Sequence, residues 1–376
     1  MFLLVMAVIS CIRSFDPVIE SDEENKYVVS GCVTDEEGYQ SIYVSMSSPI
    51  ENPEYTPLSG CTLSIIDGNG REFATEEVEP GKYSAWMDEE DLLPGISYHV
   101  VVNTPSGDVL ISDPDTMPAG PQLDSLYYLL EEHLTANPSV MDEGIQFYID
   151  LKAEESQSRY YRWEVLETWE YHTPHAKEYY YDGDWHQIYP PDSSTMVCYS
   201  SNTVQDIFTL TTRNLAENAY NQYPLHFVNG KSPRLGILYS ILVRQYALSE
   251  AAYLYWDQLK ENTYDQGGLY NKQPMDIKGN VHLTSGIAQE VLGYFYVASV
   301  RSRRMFIQNV EGLELDFPNY CGEEGLGHFG WREFGPKDYP VYYYFPAAGG
   351  LLILSRECVE CERLGGSLVK PDFWPY

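Results

Sequence analysis

Two groups of residues in this sequence carry side chains capable of chemistry. The first is Glu170-Tyr-His172-Thr-Pro-His175, followed by Tyr179-Tyr-Tyr-Asp182 and Asp184-Trp-His186. Three histidines within fifteen residues, interleaved with carboxylates, are ligand types that suit zinc or copper when a loop folds back on itself. Pro174 breaks any helical spacing between His172 and His175, so the segment reads better as an exposed aromatic loop that contacts a partner or a sugar. Its contact residues are then Trp169, Tyr171 and Trp185, and no metal is assigned. The second group is Cys358-Val-Glu-Cys361, which has redox-motif spacing without a βαβ context. Glutamates flank it, and nearby negative charge raises a thiol pKa, so structural pairing is expected rather than redox chemistry or a zinc centre.

Other signatures are missing. There is no Walker loop, dinucleotide fingerprint, Gly-x-Ser-x-Gly elbow or His-Glu-x-x-His. Among 56 acidic residues no glycosidase pair stands out, so no catalytic residue and no cofactor is named. Gly322 to Gly330 is glycine-dense, but its two glutamates exclude a phosphate cradle, and it reads as a flexible connection.

The cysteines also speak to location. Phe2 to Ile9 is uncharged and apolar and stops at Ser10-Cys11, the layout of a bacterial lipoprotein signal, although no Lys or Arg precedes it. The stretch falls far short of the roughly 20 residues a spanning helix needs, so residues 1–10 read as a processed signal and Cys11 as the acylated residue. Residues 11–26, with Glu20-Ser-Asp-Glu-Glu24, read as an acidic tether. Six cysteines remain of seven, and six allow 15 pairings. Cys32 and Cys61 share the first β-prone region and are expected to bridge two strands. Cys198, Cys321, Cys358 and Cys361 are expected to pair within the second half.

Composition narrows the partners. A net charge of −33, from 23 basic and 56 acidic residues, repels nucleic acid and anionic lipid headgroups. The chain has 376 residues, enough for two or more cores, and its 33 tyrosines favour pleated, half-buried positions.

The elements that must position these groups are mostly strands. Short β-prone runs at Tyr27–Val33, Ser41–Met46, Thr62–Ile66 and Tyr98–Val102, divided by turn signals, predict an immunoglobulin-like antiparallel β-sandwich over 27–118. Pro118-Ala-Gly-Pro121 marks a boundary. Residues 122–376 predict a larger β-rich domain, with strands at Gly144–Asp150, Arg159–Val165, Trp169–Tyr171, Tyr239–Tyr246, Leu292–Ser299 and Arg304–Gln308. One helix is predicted from an N-cap at Ser249 through Lys260. No fixed-period repeat appears.

Several stretches together resemble a known family. Tyr27-Val-Val-Ser-Gly, Leu58-Ser-Gly, Gly81-Lys-Tyr83 and Ser112-Asp-Pro are similar to its N-terminal half. Asp124-Ser-Leu-Tyr127, Tyr160-Tyr-Arg-Trp-Glu164, Tyr239–Tyr246, Leu292-Gly-Tyr294 and Lys370–Trp374 are similar to its second half. The family is the Bacteroidota lipoproteins of domain of unknown function DUF4249, commonly encoded beside TonB-dependent receptors. The resemblance implies an outer-membrane lipoprotein that assists such a receptor, and it supplies no catalytic residue. It matches Cys198, Cys358 and Cys361 to cysteines typical of members, with Cys321 a looser match. Cys32 and Cys61 stand where apolar or small residues are usual, consistent with one extra bridge. The expected function is that of a non-catalytic binding partner of a TonB-dependent receptor in nutrient uptake, on the cell surface or the periplasmic face. The alternatives are a surface hydrolase acting on glycan or peptide, or a structural or adhesive lipoprotein.

Overall fold

The computed structural model describes residues 26–48, 54–135, 141–264, 277–284 and 290–375. Cys11, the signal at residues 1–10 and nearly all of the tether lie outside the described residues. The chain is mainly β, about 50% strand and 10% helical. In chain order the strands are β1 (Tyr27–Thr34), β2 (Gly38–Met46), β3 (Thr56–Pro57), β4 (Thr62–Asp67), β5 (Glu72–Ala74), β6 (Glu76–Glu79), β7 (Lys82–Met87), β8 (Ser97–Asn103), β9 (Val109–Ser112) and β10 (Asp115–Thr116). They continue with β11 (Ser125–Leu134), β12 (Met141–Lys152), β13 (Tyr160–His172), β14 (Lys177–Tyr181), β15 (Trp185–Asp192), β16 (Val197–Thr203), β17 (Phe208–Thr211), β18 (Ala219–Asn229) and β19 (Leu238–Ala247). The helix α1 (Glu250–Tyr264) follows, then β20 (Val281–Leu283), β21 (Phe295–Ile307), β22 (Glu323–Gly325), β23 (Val341–Tyr344) and β24 (Leu352–Leu354).

The period-two pattern of β1 sets the first core. Tyr27, Val29 and Val33 project to one face and are buried. They meet Ile42 and Val44 of β2 and Tyr83 of β7, and across the gap Leu63, Ile65, Tyr98, Val100 and Val102 of the facing sheet β20-β9-β8-β4-β5. Two sheets thus enclose one apolar layer. Residues 27–118 do not complete this layer alone. One edge of β1 pairs antiparallel with β2, and the other pairs in parallel with β21, Gly31 opposite Phe295 and Val33 opposite Val297. An uncovered edge would leave a row of unpaired backbone groups, and β21 covers it. Val281, Val291, Phe295 and Val297 enter the same core. Gly293 permits the approach: its φ is +88°, and a Cβ there would lie 2.2 Å from the Val29 carbonyl oxygen.

Through β21 the sheet continues into the second region, in the order β16-β13-β19-β21-β1-β2-β7-β6 with β17 beside β13 and β3 beside β2. The β13-β19 half packs on a three-stranded sheet, β11-β12-β18, through Ile145, Phe147, Ile149, Trp163, Val165, Tyr239 and Val243. On its outer face lies α1, capped as the sequence predicts, with Ser249 Oγ accepting from the Ala252 N–H at 3.2 Å. Ala252 and Tyr253 pack there against Tyr246, Tyr296, Ala298 and Val300.

This layering overturns the expected Cys32–Cys61 bridge, since both thiols are free. Cys32 alternates with Val33 on β1 and so faces the α1 side, beside Tyr296, where burial pushes its thiol up to about 12. Cys61 packs on the opposite side, against the first core. The sheet itself separates them. The other four cysteines form Cys198–Cys361 and Cys321–Cys358. The two cysteines of the Cys358-Val-Glu-Cys361 segment therefore take different partners. Their bridges tie a fourth sheet, β15-β14-β23-β24-β22, and the C-terminal segment to the rest of the chain.

Candidate functional site

The inner row of β13 leads to the site. Tyr161, Trp163 and Val165 fill the second core, Glu167 follows on the same face, and then Trp169 and Tyr171. Glu167 is only 1% exposed, and its carboxylate is fully engaged. Arg234 Nη1 donates to its two oxygens at 2.9 and 2.8 Å, Tyr239 Oη donates at 3.0 Å, and Asn202 Nδ2 and His226 Nε2 lie at 3.3 Å. Burial by itself would raise the pKa of this carboxyl. The hydrogen bond from His226 and the charge of Arg234 outweigh it and hold the group down to about 2. Arg234 belongs to the single turn Pro233–Leu235, so the ion pair anchors that turn to β13.

Pro233 and Gly236, at either end of this turn, form one wall of a cleft of about 480 Å³, a volume typical of small-molecule sites. Trp169, Tyr171 and Thr173 come from the end of β13 and the residue after it, and Phe317 to Cys321 form the far wall. A Cβ at Gly236 would meet the Phe317 ring at 3.2 Å, so glycine lets that ring close on the turn. The far wall is held by the Cys321–Cys358 bridge, and Tyr171 Oη donates to the Cys361 carbonyl at 2.8 Å.

Two features of the cleft are unfinished. Thr173 is 2% exposed and its hydroxyl, buried beneath the cleft surface, has no hydrogen-bond partner, a state that costs roughly 1–3 kcal/mol. Among the described residues Trp169 is also the one tryptophan of seven with no ring or cation stacked on it. The other six pair with Tyr39, Tyr223, Trp331, Tyr296, Tyr343 and Tyr199 among others.

The three predicted contact residues do not form one loop. Trp169 and Tyr171 line the cleft, whereas Trp185 begins β15 in the fourth sheet. The expected aromatic loop is a strand pair, because Tyr179 to Tyr181 and Trp185 to Gln187 match each other in register. Trp185 is 56% exposed and meets Trp331 at 4.3 Å and Tyr343 at 5.5 Å, with Phe345 exposed nearby against Tyr343. The three histidines are likewise separate. His172 pairs with Glu170 at 2.6 Å, His175 with Glu323 at 2.9 Å, and His186 with Asp182 at 2.9 Å. His175, Cys321 and Glu323 gather donor atoms within 4.8 Å, but the Cys321 sulfur is spent in a disulfide, which leaves two usable ligands.

Sequence reasoning missed Thr173, Phe317, Tyr320 and the Glu167–Arg234 pair. Glu167 had a signal: a charged residue at a buried period-two position of an otherwise apolar row. Phe317 and Tyr320 had none, because the disulfide, not local pattern, brings their segment to the cleft.

Fold and cleft together define a mainly β protein built of packed sheets around two principal cores, with an aromatic cleft at the end of β13. The chain belongs to the family Domain of unknown function (DUF4249), whose model matches residues 12–304. The far wall of the cleft, from Phe317 onward, lies beyond the matched residues. No curated protein matches the chain. Among solved structures, trypsin-activated alpha-2-macroglobulin from Escherichia coli aligns at 11% identity and a TM-score of 0.20, over 60% of this chain. This chain spans only 14% of that protein. Collagen adhesin from S. aureus aligns at 6% identity and a TM-score of 0.12, over 76% of this chain and 97% of that one. Likeness this slight carries no conclusion about either fold or function.

Proposed function

We propose that this protein is a non-catalytic binding partner of a TonB-dependent outer-membrane receptor in nutrient uptake, anchored by acyl chains on Cys11. The observation that carries the binding reading is the ring cluster around Trp185. Trp185 and Phe345 stand 56% and 55% exposed beside Trp331 and Tyr343, a cluster of large rings that pack on one another and still face solvent. Trp and Tyr in such clusters are the residue types that dominate binding energy at protein interfaces. The receptor as partner and the lipid anchor rest on the sequence resemblance and on the Val8-Ile9-Ser10-Cys11 pattern. The acidic body suits a protein that stands off an anionic membrane on a tether.

The test is purification of the native lipoprotein in detergent, with co-purifying proteins identified by mass spectrometry. A TonB-dependent receptor is expected, and its recovery should fall at least roughly fivefold with Trp185→Ala, a loss of about 1 kcal/mol. If the unmutated chain captures no such receptor, the partner reading fails. Hydrolysis of glycan or peptide by the pure protein would instead favour the enzyme alternative.

A further inference from the structure

We propose that the cleft at the end of β13 holds a small organic cation, an alkylated ammonium group packed between aromatic walls. This inference deepens the nutrient-binding reading by naming the chemistry of the ligand. The first ground is the state of the rings. Trp169, Tyr171, Phe317 and Tyr320 all line the cleft, and among the described residues none of them stacks on another ring or carries one of the chain's own cations. Arg162 lies 4.0 Å from the Trp256 ring and Arg304 3.5 Å from the Phe373 ring, so rings elsewhere receive an internal cation. The negative face of an aromatic ring attracts positive charge, and the four cleft rings leave that attraction unused.

The second ground is charge. No Lys or Arg lines the cleft, while the Glu357 carboxylate does. Arg234 lies behind the wall, but both oxygens of Glu167 hold it. His172 is the one imidazole of the lining, and it lies 2.6 Å from the Glu170 carboxylate. The body as a whole carries a net charge of −33. An anion would be repelled here, and a neutral apolar ligand would leave the field of the site unanswered. At about 480 Å³ the space is in the range of small-molecule sites, so the source proposed is a free small molecule rather than a protruding side chain of a partner.

The experiment titrates the mature chain with choline and, separately, with its uncharged carbon isostere 3,3-dimethylbutan-1-ol, following tryptophan fluorescence and heat. Choline is expected to bind at least roughly fivefold more tightly than the isostere. Tyr320→Ala and Phe317→Ala, at rings that are 48% and 39% exposed, should each weaken choline while leaving the unfolding midpoint unchanged. Trp169→Ala should abolish binding, but its ring also packs on the second core, so the two exposed positions decide the outcome if that variant unfolds. Equal binding of the two probes overturns the cation assignment, as does no binding of either at about 10 mM. Tighter binding of a lysine tripeptide than of choline overturns the small-molecule source. Receptor capture is scored separately, so a chain that captures its receptor and ignores both probes loses this inference alone.

Discussion

Replacing Glu167 with Gln tests whether the buried carboxylate holds the turn that walls the cleft. Its folded pKa of about 2 lies well below the ordinary 4.5, a gap worth roughly 3 kcal/mol between protonation states. Because the folded value is depressed, the stabilisation is fully present above the unfolded pKa and is lost as pH falls through the folded one. Glu167→Gln keeps the shape but removes the titration. The stability difference between wild type and variant should therefore be constant at about pH 6 and shrink by about 3 kcal/mol between about pH 4.5 and 2. Acidic-surface repulsion changes over the same range, but it acts on both proteins and cancels in the difference. Arg234→Met is the harsher counterpart. It leaves a carboxylate buried without its cation, which costs about 3–5 kcal/mol near neutral pH. Loss of the Arg234 charge raises the Glu167 pKa above its wild-type value, so this variant should gain stability relative to wild type as pH falls. The assay is urea unfolding followed by tryptophan fluorescence, with matched m-values as the check that both variants unfold from a native state. A wild-type to Gln difference that stays flat across the acid range would refute the role assigned to this ion pair.

Further outcomes follow from the cysteines and the helix. With Cys11 acylated, unfolding without reductant should expose two alkylatable thiols, Cys32 and Cys61, and reduction should add four more; intact mass distinguishes this from six at the outset. Replacing Cys321 and Cys358 by Ser should cost roughly 4 kcal/mol, the loop-closure value for a separation of 37 residues, and should weaken any ligand held in the cleft whose wall they fix. Cys11→Ser should abolish labelling by a fatty-acid probe, and persistent labelling would refute the anchor assignment. Ser249→Ala should destabilise by about 1 kcal/mol through loss of the α1 cap, read as a shift in urea midpoint.

Local pattern sufficed for much of this molecule. The alternation in Tyr27–Val33, Gly144–Asp150 and Tyr239–Tyr246 announced strands because one face of each packs into an apolar core, and the Ser249 cap announced the α-helix because a hydroxyl there meets an orphan N–H. What sequence could not reach were the relations between segments distant along the chain. β21 closes the edge of β1 in parallel, a pairing chosen by which edge stood open and not by any local motif. Cys32 and Cys61 looked like partners because they are near in sequence. A single residue of strand phase puts Cys32 on the far side of the sheet from the core that Cys61 joins. The cleft is the plainest case. Trp169 and Tyr171 stood out by residue type, but their opposite wall arrives from Phe317 to Cys321, and only disulfide-tied tertiary structure brings it there. Residue types thus determined which elements form, whereas long-range sheet pairing and bridging decided which side chains share a site, because those contacts depend on edges and faces that exist only once the chain has folded.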